Sequence, residues 1–264
     1  MKLTPLFPEG KVKALTFSYD DGPRDDIRLV EIFNRFGMKA TFNLNSGRMD
    51  QEGCVHPDEL GKVYAGHEIA SHAATHPFLN RIPKACVLGE LLEDRLALEK
   101  LTGSIVNGFA LPYGSWNAET VELLRAAGFI YSRTTRNAMT FKALPLDFLE
   151  WHPTCHHRDA PGLCEAFKKT KYALSLFYIW GHSFEFPRDN NWELIEQVCS
   201  ELSGQSDTWY ATNGEIVRYI TALRSLITSA DAGIVCNPSA QPLWFRLGSG
   251  EVTAVQPGET RRLN

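Results

Sequence analysis

The segment Val12-Lys13-Ala14-Leu15-Thr16-Phe17-Ser18-Tyr19-Asp20-Asp21-Gly22-Pro23 runs an apolar stretch into two adjacent acids and then into a turn. Val12, Ala14, Leu15 and Phe17 mark a buried strand, and Gly22-Pro23 supplies the tight turn that holds both acids at its mouth. Farther along stands Ser71-His72-Ala73-Ala74-Thr75-His76-Pro77. Histidines four apart share one face of a helical turn and can converge on a single ion. A catalytic divalent ion takes about three protein ligands, His nitrogens with a carboxylate, and keeps one position open for water. Asp21, His72 and His76 make such a set, which leaves Asp20 beside it to take a proton as general base. Asp-Asp-Gly-Pro alone reads as a solvated turn, and two histidines at this spacing alone as surface or capping residues. Together, each flanking a strand end, they read as a metal site with a base beside it.

Outward from these motifs, short apolar runs alternate with amphipathic ones. Val12 to Tyr19, Ala40 to Leu44, Glu68 to Ser71, Gly108 to Leu111, Ile130 to Thr134, Phe148 to Trp151, Leu174 to Trp180 and Thr208 to Thr212 have the look of strands. Asp25 to Phe36, Lys84 to Leu101 with Leu88, Leu91, Leu92, Arg95 and Leu98, Ala118 to Ala127 closed by Gly128, and Trp192 to Leu202 closed by Ser203-Gly204 read as helices. This repetition implies an α/β fold, an irregular barrel of seven or eight mostly parallel strands over residues 1–230, with chemistry at the carboxyl ends of the strands. From Asp231 the pattern changes to Ile234-Val235-Cys236, Leu243-Trp244-Phe245 and Val252 to Val255, separated by turns. Residues 231–264 are therefore expected to form a small antiparallel appendage packed as a cap on the barrel.

The 264 residues, 44% of them hydrophobic, suffice for one sizeable core. With a formal net charge of -4 and scattered Lys and Arg, neither nucleic acid nor an anionic membrane surface is an expected partner. No stretch has the length of a membrane span, and the start, from Met1 to Gly10, lacks the apolar segment and small-residue cleavage site of a leader, so a cytoplasmic location is expected. Cys54, Cys86, Cys155, Cys164, Cys199 and Cys236 show no Cys-x-x-Cys spacing and fit buried free thiols in a reducing compartment. Cys155, next to His156-His157, has the alternative of a Cys-His nucleophile pair, with a plain loop cysteine as the more ordinary reading.

Phe17-Ser18-Tyr19-Asp20-Asp21-Gly22-Pro23, Ser71-His72-x-x-x-His76-Pro77, Leu111-Pro112-Tyr113-Gly114 and Ile179-Trp180-Gly181-His182 follow the order of the motifs of the polysaccharide deacetylases, carbohydrate esterase family four or the NodB homology domain, and the chain resembles that family over about residues 12 to 215. The resemblance implies an irregular (β/α) barrel in which a divalent metal on Asp21, His72 and His76 activates water to hydrolyse an acetyl group from a sugar. By position it makes Asp20 the base, His182 the acid that protonates the leaving amine, and the backbone N–H of Tyr113 the donor to the oxyanion. Zinc is the expected metal, with cobalt, nickel, manganese or iron as alternatives for the same donor set.

The chain also departs from the family. The Arg usually found two residues before Pro-Tyr-Gly, where it pairs with the base, is Ala110 here, and a hydroxyl residue common after the first metal histidine is Ala73. The family's Asp-Trp, which orients the acid histidine, is most nearly matched by Glu150-Trp151, so Glu150 is expected in that role. His152, His156 and His157 could supply missing contacts, and Arg158 could approach Asp20 in place of the lost Arg. Trp116, Trp180, Phe184, Trp192, Trp209 and Tyr210 suit stacking on sugar rings, with core packing preferred for Trp180 and Trp209; Asn213 and Glu185, the latter after His182, are polar where a substrate could reach, with a helix cap preferred for Asn213. The leading expectation is hydrolysis of an N-acetyl group on an amino sugar or oligosaccharide. Its alternatives are hydrolysis of a non-sugar C–N bond, such as a cyclic imide, ureide or formamide, and a non-catalytic sugar-binding relative.

Overall fold

In the computed structural model, which describes residues 3–142 and 144–263, the opening apolar run is the spine of the molecule. Strand β1 (Lys13–Asp20) is buried at every residue, as befits a parallel strand covered on both faces. Seven further strands build the sheet around it: β2 (Ala40–Leu44), β3 (Glu68–Ser71), β4 (Gly108–Ala110), β5 (Tyr131–Arg133), β6 (Cys155–His156), β7 (Ser175–Gly181) and β8 (Thr208–Tyr210). The order is β5-β4-β3-β2-β1-β7-β6, every pairing parallel. Strand β7 takes one edge of β1 from Lys13 to Tyr19, while the other edge is shared, β2 pairing with Phe17 to Asp20 and β8 with Lys13 to Leu15.

The sheet curls until its ends approach. Trp151 bridges to Arg133 of β5, and four residues on Cys155 joins β7, so one thin segment links the two edges. Here the sequence expectation needs correction. Phe148 to Trp151 is not a strand: Phe148–Glu150 is a 3-10 turn, capped by the Asp147 carboxylate accepting from Leu149 N at 2.9 Å, and only Trp151 pairs. Helices cover the outside, among them Asp26–Arg35, Lys84–Thr102, Ala118–Ala126 and Trp192–Leu202, together with two the periodicity did not single out, Pro161–Lys169 and Asn213–Arg224. Along Lys84–Thr102 the buried face is Val87, Leu91, Asp94 and Leu98, and Leu92 is exposed. Thr212, not Asn213, caps the last helix, in a capping box with Glu215, and Asn213 is buried between Thr16 and Tyr178.

The C-terminal strands form two antiparallel sheets that reach outside residues 231–264. Leu243–Arg246 lies between Val252–Val255 and the strand Thr4–Leu6, and Ile234–Cys236 between Thr260–Arg262 and Ile227–Thr228. Phe7, Tyr219, Val235, Leu243, Phe245 and Val255 share one core there, with Trp209 packed at its side. Tyr219 Oη donates to Leu6 O and accepts from Trp244 N, tying barrel helix, first strand and appendage together. Among the described residues no helix is long and apolar enough to cross a membrane.

Candidate metal centre and catalytic cleft

Strand β1 delivers Asp20 and Asp21 to the carboxyl end of the sheet in different states. Asp20 is 2% exposed, accepts from Asn43 Nδ2 at 2.8 Å on one oxygen and from the Arg133 guanidinium on the other. Asp21 follows in a left-handed conformation (φ 75°), as does Gly22 (φ 63°), where a Cβ would meet Leu44 Cδ2 at 2.9 Å. The turn aims Asp21 Oδ1 at two imidazoles, His72 Nε2 at 3.9 Å and His76 Nε2 at 3.6 Å.

The histidines do not converge on a helical turn. Beyond β3 the chain is a loop in which Ala73 (φ 62°) and His76 (φ 61°) are left-handed, a costly backbone for these residues that clusters at functional sites. Neighbours hold it: Asn45 Nδ2 donates to His72 O and Ala73 O, and the buried Asp94 carboxylate accepts from His72 N and Ser71 Oγ. His72 Nδ1 lies 2.7 Å from Ala110 O, which fixes its proton on that nitrogen and leaves the Nε2 lone pair facing Asp21. Burial, with the neighbouring His72 acting in the same direction, pushes His76 down to about 4, so His76 is neutral at pH 7 and free to ligate. Asp21 Oδ1 is buried without a hydrogen-bond partner. An orphaned carboxylate oxygen facing two imidazole lone pairs suits a zinc-type ion with one position open.

Asp20 Oδ2 looks across to His182 Nε2 at 3.9 Å and to His72 Nε2 at 3.8 Å. Burial alone would raise the Asp20 carboxyl, but Arg133, His72, His182 and the Asn43 hydrogen bond outweigh it and hold the group below its usual range. The cation missing at Ala110 thus arrives from the next strand, as Arg133, fully buried with its guanidinium 4.7 Å from the Trp180 ring. Arg158 does not approach Asp20; it pairs with Glu185 at 2.9 Å.

On the far wall His182 is faced by Glu185, not Glu150. Glu185 Oε1 lies 3.6 Å from His182 Nδ1, while Glu150 sits in the turn before Trp151 with its charge toward His152. Burial works to lower His182, but Glu185 and Asp20 outweigh it and the imidazole is raised above its ordinary value. Glu185 is the hub of this wall: its Oε2 lies 3.0 Å from His156 Nε2 and 3.1 Å from His157 Nε2. These contacts overcome burial and hold its carboxyl far below the usual range. His152 stands apart, 2.6 Å from Thr134 Oγ1. Cys155 is buried with its thiol pushed up to about 12, which removes the nucleophile alternative. Cys164 and Cys199 are buried too, whereas Cys86 is exposed, contrary to expectation for that thiol.

Tyr113 (φ 57°) lies in the turn Pro112–Gly114, its half-exposed ring stacked on Phe78 at 3.8 Å and edge-on to His76 at 4.4 Å. Arg133, Asn43, Asn45 and Asp94 escaped the sequence reading, and Glu185, read there as a polar residue within reach of substrate, instead faces His182, His156 and His157. Each acts on a motif residue from another strand or helix, and no short spacing announces that.

Residues 8–132 match the polysaccharide deacetylase family. A peptidoglycan-N-acetylglucosamine deacetylase of Listeria monocytogenes is 27% identical over 121 residues, 45% of this chain and 25% of its own length. A chitin deacetylase of Colletotrichum lindemuthianum is 27% identical over 118 residues, 44% of this chain and 48% of its own. The chain thus spans a quarter to a half of the length of these curated relatives. Among solved structures, a Mycobacterium smegmatis protein assigned to the polysaccharide deacetylases superposes with a TM-score of 0.64 at 18% identity, covering 84% of this chain and 94% of that one. A family 4 carbohydrate esterase of Streptomyces lividans gives 0.51 at 17% identity, over 74% and 90%. A pseudoenzyme of the same family from Bacillus anthracis gives 0.51 at 18%, over 80% and 66%. At these identities the structural likeness is one of fold.

Proposed function

From its place as a divergent member of the polysaccharide deacetylase family, we propose that this chain removes the N-acetyl group from an amino sugar or a short oligosaccharide. One observation carries the reading: a single buried carboxylate oxygen, Asp20 Oδ2, stands within 4 Å of a histidine of the candidate metal set and of a second histidine on the opposite wall. Proton acceptor, ligand set and proton donor meet in one cleft. Asp21, His72 and His76 would hold a divalent ion, zinc by its donor set, which supplies Lewis acidity and lowers the pKa of water.

The remaining chemistry belongs to the chain. Asp20, kept ionised by Arg133, receives the proton of the attacking water. Arg133 and Asn43 leave it little freedom to swing away. The N–H of Tyr113 would donate to the developing oxyanion, and His182, its proton affinity raised by Glu185 and Asp20, gives its Nε2 proton to the departing amine. Glu185 stabilises the imidazolium from the Nδ1 side, the part first given to Glu150. The Tyr113 ring, backed by Phe78, offers an apolar face for a sugar ring beside His76. Retention of base, ligands and acid together speaks against a purely binding role.

Acetate release from N-acetylglucosamine and its short oligomers by metal-reconstituted protein tests the reading. Asp20→Asn and His182→Ala should each lower kcat by about 10²–10⁴-fold. No acetate from any of these sugars, with bound metal established, would overturn it and turn the search to small non-sugar amides.

A further inference from the structure

We propose that His156, His182 and Glu185 form a second divalent-cation site, of zinc type, whose filling inhibits the enzyme. Their ligand atoms lie within 4.8 Å of one another, the only such group of three besides Asp21, His72 and His76 among the described residues. His182 Nδ1 is buried and makes no hydrogen bond, and the Glu185 carboxylate, 6% exposed, faces the imidazoles of His156, His157 and His182. The spacings already suit an ion. His156 Nε2 is 3.0 Å from Glu185 Oε2 and His182 Nδ1 is 3.6 Å from Oε1, against the roughly 3.3–3.5 Å between ligand atoms that tetrahedral bonds of about 2.0–2.2 Å impose. Two imidazoles and a carboxylate are a zinc donor set, with the fourth position left to water.

Arg158 and Arg188 oppose the cation, at 2.9 and 3.8 Å from Glu185 Oε1, but both side chains are about half exposed and can turn to solvent. Their charge makes this the weaker site, filled only after the Asp21 set. Occupancy puts the cation where the Nδ1 proton of an imidazolium would be, and a singly protonated, coordinated ring is a poor donor at Nε2. This inhibitory consequence, unlike the binding itself, rests on His182 being the acid.

Equilibrium dialysis of metal-free protein against micromolar Zn²⁺ or Co²⁺, followed by metal analysis, counts the ions without turnover. Two per chain are expected for wild type, and one each for His156→Ala and His72→Ala. His156→Gln, which keeps an amide beside Glu185, repeats the count should the alanine variant not fold. One ion in wild type, or two in both His156 variants, would overturn the site. With substrate, excess zinc should lower the wild-type rate more than tenfold and spare His156→Gln. Two ions bound without inhibition would uphold the site and overturn its effect on His182.

Discussion

On the base wall of the cleft Asp20 is gripped by hydrogen bonds from Asn43 and Arg133, all three side chains buried; on the acid wall His182 faces Glu185 across 3.6 Å with no hydrogen bond and stays partly exposed. The first arrangement fixes a position and the second fixes a charge. On the proposed function, a base that meets a small water benefits from rigid placement, whereas an acid that must reach the nitrogen of a departing sugar needs its proton but also room to follow. The two walls also differ in origin. Asp20 and Asn43 lie within the stretch that matches the family, residues 8–132, whereas Arg133 and the acid wall lie beyond it.

The sharpest way to break the comparison is Arg133→Met. It leaves a buried carboxylate without its cation, which should cost about 3–5 kcal/mol of stability, read as a lower melting temperature. It also removes a cause that lowers Asp20, so the acid limb of the kcat/KM profile should move to higher pH. An unchanged acid limb in the folded variant would show that Asp20 does not depend on Arg133. On the other wall Glu185→Gln should act more gently, with kcat down roughly tenfold, at the low end for an outer-shell partner of a functional histidine. Because Glu185 raises His182, its loss should bring the alkaline limb to lower pH, and a variant with both limbs in place would deny Glu185 any hold on the acid.

The smallest effect is one of folding. His157, against Glu185, and His67, at the opposite end of the sheet, are each pushed down to about 4 by burial. Their folded-state values are depressed, so they contribute stability fully above about pH 6.5, the unfolded value, and lose it as pH falls toward 4. Asp26, raised to about 7 by burial, opposes them, its contribution being full below the ordinary carboxylate range and lost as pH rises through 7. The His157 share is read by comparison: between pH 7 and pH 5 the urea midpoint of His157→Gln should fall less, or rise more, than that of wild type. An equal slope in the variant would place the acid sensitivity away from this wall.

What the sequence disclosed follows the same division. Asp20-Asp21 and His72 with His76 are legible because each lies in one short segment at a strand end, even though the histidines meet through left-handed loop residues and not a helical turn. Strands β2 and β3 could be read to the residue, β2 being buried at every position and β3 at its carboxyl half. Arg133 was illegible because its partner is distant in sequence and β5, at three residues, carries no pattern. Glu185 was read as a polar residue within reach of substrate, and its role beside His182 was not legible because the His156 and His157 side chains that hold it come from a distant segment. Phe148 to Trp151 misled because a short apolar run does not distinguish a strand from a buried turn.

Among the described residues the strand Thr4–Leu6 finds its partner only in Leu243–Arg246. During synthesis the barrel residues are all available before that partner leaves the ribosome, so the first strand must wait with its edge unsatisfied while the sheet around β1 assembles. Closing this clasp is then a late, slow event of high contact order. A nascent chain stalled before Leu243 would carry its candidate metal ligands while still offering an open strand edge to chaperones and to other copies of itself.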